Sequence, residues 1–63
     1  MKLTLYSISF SVTLEVTKFN FAGFAFFETT CNKELLQELE RQELITINNQ
    51  VCIIRQGVEF EIN

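Results

Sequence analysis

The side chains of this protein with chemistry to offer are two cysteines, Cys31 and Cys52, and eight glutamates; histidine and aspartate are absent. Without histidine, the usual proton-transfer group near neutral pH is missing. A reactive cysteine needs a base or a cation beside it, and Lys33 is the only cation close to either thiol in sequence. A structural zinc site takes four Cys or His ligands, so one chain supplies half a site and a dimer would be needed for four thiolates. One disulfide between Cys31 and Cys52 is geometrically allowed. Secreted frameworks in chains this short usually hold four or more cysteines, so two small buried thiols are the plainer reading. No catalytic residue, cofactor or metal site is expected.

The glutamates read as solvated faces. Glu34, Glu38, Glu40 and Glu43 fall on a predicted helix, and Glu59 and Glu61 alternate along a predicted final strand. Gly23 and Gly57, the two glycines, lie too far apart to form a phosphate-cradling loop. Lys2, Lys18, Lys33, Arg41 and Arg55 are scattered singly and the net charge is −3, which opposes direct binding of nucleic acid. Leu35 through Ile54 resembles the last helix and wing of a winged-helix domain, but that fold needs helices ahead of them and strands stand there instead. The negative charge is uneven: it falls wholly in residues 33–63, where six Glu face three cations. That asymmetry permits an acidic occluder of a nucleic-acid-binding protein, built on Glu34, Glu38, Glu40, Glu59 and Glu61, with solubility as its ordinary explanation.

These residues are positioned by a chain of 63 residues, which is room for one domain spanning 1–63. Ile8, Phe10, Val12, Leu14 and Val16 alternate with Ser, Thr and Glu, a period of two that predicts a strand with one buried face. Leu3 and Leu5 occupy the opposite phase. A bulge or bend at Tyr6-Ser7 is expected to reconcile them, because no Gly, Asn or Asp is there to make a turn. A second strand is expected through the phenylalanine-rich segment, after a turn between Thr17 and Gly23. From Thr30 to about Glu43, Leu35, Leu36 and Leu39 form an apolar stripe at helical spacing, with Asn32 or Thr30 as the cap. Ile45-Ile47, Gln50–Ile54 and Val58–Ile62 then read as a three-stranded meander turning at Asn48-Asn49 and at Arg55-Gln56-Gly57. The predicted fold is therefore α+β, in the order β-β-α-β-β-β: a small antiparallel sheet with one amphipathic helix packed on one face.

Phe19 to Phe27 is the segment with the most to explain. Its nine residues hold five of the seven phenylalanines and no charge, a hazard for aggregation unless it is covered. Each buried Phe is worth roughly 1.5–3 kcal/mol. One short helix cannot hide rings on both faces of a sheet, so some are expected to remain at the surface and meet a partner. The leading expectation is a non-catalytic protein-protein interaction module, a small regulator or inhibitor occupying a partner's surface. Its contact residues are expected to be Phe19, Phe21, Phe24, Phe26 and Phe27 on one side and Glu34, Glu38 and Glu40 on the other. A homodimer through sheet edges or the phenylalanine strand is expected too. The acidic occluder is the first alternative and a structural subunit of a larger assembly the second. No window of about 20 apolar residues exists to span a membrane. The apolar residues after Met1-Lys2 alternate with Ser and Thr, unlike a signal core, so the cytoplasm is the default location.

Overall fold

A computed structural model describes all 63 residues. Six strands and one helix follow in the order β1 (Lys2–Tyr6), β2 (Ser11–Phe21), β3 (Ala25–Thr29), α1 (Lys33–Arg41), β4 (Ile45–Asn48), β5 (Val51–Ile54) and β6 (Glu59–Ile62). All neighbouring strands pair antiparallel in one sheet ordered β4-β5-β3-β2-β1-β6. The α+β class, the antiparallel sheet and the single amphipathic helix between two strand-rich halves agree with the sequence.

The N-terminal half is divided further than its alternation indicates. Ser7–Phe10 form a tight turn, closed by Ser7 N–H donating to the Phe10 carbonyl at 2.7 Å, and β1 and β2 pair as a hairpin with Leu5 opposite Val12. None of these four residues has a positive φ. Turns that keep φ negative accept most residue types, so the lack of Gly, Asn or Asp does not forbid one. Ile8 and Phe10 consequently leave the buried phase assigned to them, and Ile8 is fully exposed. The next turn, Ala22–Phe24, depends on Gly23 at φ +83°, while Asn20 stays inside β2.

A bulge does occur, ten residues further on. The β2–β3 register shifts between Val16 and Lys18, leaving Thr17 as the additional residue. The slip changes the inward phase from Leu14 and Val16 to Phe19, opposite buried Phe27, and leaves Phe21 on that same face at the open end of the strand. It also bends β2. Phe60 lies opposite Leu5 in β6, two strands away from β2, yet its ring reaches Phe19 at 5.6 Å and Phe21 at 6.4 Å between centroids.

The sheet is therefore rolled, and the C-terminal connection shows why it must be. β5 and β6 are joined by only Arg55–Val58 but lie four strand spacings apart in the sheet order. Laid flat, that separation would be about 19 Å. Five Cα steps from Ile54 to Glu59 reach at most about 18 Å when fully stretched. The connection is far from stretched: Gly57 turns at φ +91° and Val58 N–H donates to the Arg55 carbonyl at 3.2 Å. Only a sheet curled on itself brings the two ends within reach, consistent with overall dimensions of 26 × 23 × 20 Å. The expected three-stranded meander is corrected accordingly. β4 and β5 form the hairpin, with Asn49 at φ +59°, but β6 leaves them to pair with β1.

Twelve apolar residues fill the interior, among them Leu3, Leu5, Leu14, Val16, Phe27 and Ile54. Helix α1 contributes Leu36 and Leu39. Asn32 caps it, its side-chain oxygen accepting the Glu34 N–H at 2.6 Å. Its other end stops through two backbone bonds, Glu43 N–H to the Glu40 carbonyl and Leu44 N–H to the Leu39 carbonyl, both 3.0 Å. That pair is a Schellman motif, and buried Leu39 and Leu44 are its apolar partners. Glu43 sits at φ +64°, outside the helix predicted to include it.

Candidate interaction surface

The five phenylalanines of the central segment separate into three environments. Phe27 is fully buried and belongs to the core, so it is removed from the contact residues expected of it. Phe19 is half-buried against the core and Phe60. Phe26 is half-buried on the opposite face of β3, its ring 5.4 Å from that of Phe24. Phe21 and Phe24, which flank the Gly23 turn, are 66% and 52% exposed. Both are large apolar rings left in water, Phe21 beside Phe60 and Phe24 beside Phe26.

Backbone routing determines why this rim stays open. The β3–β5 ladder pairs Phe26 with Ile53 and Phe27 with Cys52, then stops. Continued, the register would set Ala25 against Ile54 and Phe24 against Arg55. The chain instead turns away at Arg55 to reach β1, and the two strands diverge. A shallow groove of about 610 Å³ opens there, lined by residues that include Phe21, Phe24, Ile53, Arg55, Val58 and Phe60. Ile53, Arg55, Val58 and Phe60 escape a reading of sequence because they join the rim only through the β5–β6 crossing.

Half of the eight glutamates, Glu15, Glu38, Glu40 and Glu61, hold a side-chain bond within the chain. Glu38 pairs with Arg41 at 2.7 Å and accepts a hydrogen bond from the Gln42 amide at 2.9 Å. Glu40 accepts the Ile47 N–H at 3.0 Å, covering a backbone donor on the outer edge of β4. Of the three helix glutamates expected to meet a partner, Glu34 alone has no side-chain bond within the protein. On β6, Glu61 accepts a hydrogen bond from the Tyr6 hydroxyl. That bond, with some desolvation and the charges of Glu61 and Glu59, raises the phenol above its ordinary value.

Both edges of the sheet are guarded. Glu40 covers one from the helix. On the other, β6 copies aligned face to face would set Glu59 against Glu61, or Glu61 against itself, and like charges directly opposite repel. Edge-to-edge pairing of two copies through β6 is thus opposed by the charges.

A second groove of about 660 Å³ holds Cys31 and Cys52 with Lys33, Glu28 and several polar residues. Both thiols are free. Burial, aided by the charges of Glu40 and Cys31, pushes the Cys52 thiol above its ordinary value, which disfavours the nucleophilic thiolate. Cys31 is half-buried, with its sulfur 4.0 Å from the Glu15 carbonyl. Neither has a proton acceptor arranged to activate it. No helix is long and apolar enough to cross a membrane. No protein-family model, curated protein or solved structure matches the chain.

Proposed function

We propose that this protein is a non-catalytic protein-protein interaction module, a regulator or inhibitor that works by occupying a partner's surface through its phenylalanine rim. The observation that carries the reading is that Phe21 and Phe24, on either side of the Gly23 turn, are both exposed and both line the same apolar groove. Aromatic side chains at the centre of an interface carry much of its binding energy once water is excluded. Exposed on a small acidic protein, the same rings cost solubility. The contact set is accordingly Phe21, Phe24 and the outer part of Phe26, with Phe19 supporting them from within. The homodimer expected from the sequence would use this rim. The proposal sets the protein in the cytoplasm, where two unpaired thiols stay reduced.

The acidic-occluder reading has less support, since Glu38 and Glu40 already hold partners inside the chain. The two readings separate by affinity capture from the native host. Phe21→Ser with Phe24→Ser should remove the captured partner, while Glu34→Lys with Glu38→Lys should leave it in place. Urea unfolding of each variant confirms that the fold persists. Capture unaffected by the loss of both rings, or abolished by the charge reversals alone, would overturn the aromatic reading.

A further inference from the structure

We propose that the groove beside Phe24 receives an apolar segment of a partner protein whose side-chain carboxylate pairs with Arg55. This inference rests on the rim being the contact surface, and adds the chemistry of what meets it. Arg55 is the only charged residue among those lining the groove, although the molecule carries eight carboxylates and a net charge of −3. Each other side-chain cation has a carboxylate in an ion pair, directly across a strand or in the same groove. Lys2 lies cross-strand from Glu15 and Lys18 from Glu28; Arg41 is 2.7 Å from Glu38, and Lys33 shares the second groove with Glu28. Arg55 has no ion pair.

Its placement is suited to recognition. The Arg55 N–H donates to the Leu44 carbonyl at 3.0 Å and its own carbonyl accepts from Val58 at 3.2 Å, so the base of the side chain is held in place. A guanidinium is weakly hydrated beside apolar surface and presents a planar fork that matches a carboxylate with two hydrogen bonds. Next to Phe24, Ile53 and Val58 the pair would form partly out of water, where it discriminates against a basic segment. About 610 Å³ is within the range of sites that hold side chains or small ligands, about 300–1,000 Å³. The chain's own acidic-apolar strand does not serve as this segment in a second copy. Phe60 is turned in against Phe19 and Phe21, and β6 is hydrogen-bonded to β1.

The test is selection of random twelve-residue peptides, displayed on phage, against the immobilised full-length protein. Enriched peptides should combine apolar residues with Asp or Glu. Arg55→Glu should weaken them at least tenfold, and exchanging their acidic residue for Lys should recover binding to that variant. Phe24→Ser should abolish binding to both. An uncharged or basic consensus, or affinity indifferent to Arg55→Glu but lost in Phe24→Ser, overturns the Arg55 assignment and leaves the aromatic surface standing. Peptides that bind equally well without Phe21 and Phe24 overturn both. Failure to enrich any peptide overturns the proposal as well, and light scattering then shows whether a second copy already fills the groove.

Discussion

Replacing Glu43 by glycine should stabilise this protein, although it removes a charged residue from the end of its only helix. Glu43 is the left-handed residue of the Schellman motif, at φ +64°. An L-residue held in that conformation costs roughly 1–2 kcal/mol. Glycine removes that cost but orders a more flexible unfolded chain, at about 0.5–1 kcal/mol. Glu43 has no ion pair or side-chain hydrogen bond to lose. The net expectation is a gain of about 0.5–1 kcal/mol. For a urea slope of about 1 kcal/mol per molar, suited to so small a domain, the unfolding midpoint rises by about 0.5–1 M with the slope unchanged. Glu43→Ala supplies the control: it removes the same charge but keeps the β-carbon, so its midpoint should stay well below that of the glycine variant. If alanine stabilises as much as glycine, relief of negative charge is the cause and the backbone argument is wrong. A glycine variant less stable than the parent refutes the helix ending described here.

Three further outcomes are expected. Glu40→Ala leaves the Ile47 N–H without its acceptor, lowering stability by about 1 kcal/mol and promoting aggregation through the uncovered β4 edge, whereas Glu40→Gln keeps an acceptor; equal urea midpoints and equal light scattering for both would count against the edge role. The amino terminus lies 2.9 Å from Glu15 and, by hydrogen bond and then charge, holds its carboxyl below the ordinary 4.5. A lowered folded pKa gives stability that is present above about pH 4.5 and lost as pH falls through the folded value; acetylating the amine should bring the Glu15 titration seen by NMR back towards 4.5 and remove that part of the acid dependence. A disulfide-exchange reagent at pH 8 should modify Cys31 in the folded protein but reach Cys52 only as the chain unfolds, and equal rates at the two thiols would refute the burial assigned to Cys52.

What was legible in the sequence was local. The leucine stripe and Asn32 marked the helix, because periodicity and capping depend on residues a few positions apart. Asn49 and Gly57 marked turns, since the left-handed region they occupy favours few residue types. The Ser7–Phe10 turn was hidden because its φ values are ones that any side chain accepts. The bulge at Thr17 was hidden because it is defined by the partner strand. Without the bulge, the phenylalanine segment contradicts the phase of the strand before it; with the bulge, Phe19 continues that strand's inner face and Phe21 lies on the same face at its open end.

The candidate site follows the same division. Sequence alone determined that five phenylalanines crowd one uncharged segment, that cations are few, and that one helix must serve the whole sheet. It could not determine which rings would remain in water. That was decided when β5 and β6, joined by four residues, drew the sheet into a roll: Phe27 was enclosed, Phe60 was carried to Phe19, and β3 parted from β5 beside Phe24 and Arg55. Burial is a property of how distant segments close over one another. A pattern of neighbours along the chain fixes which residues seek cover, and only the path of the backbone fixes which of them receive it.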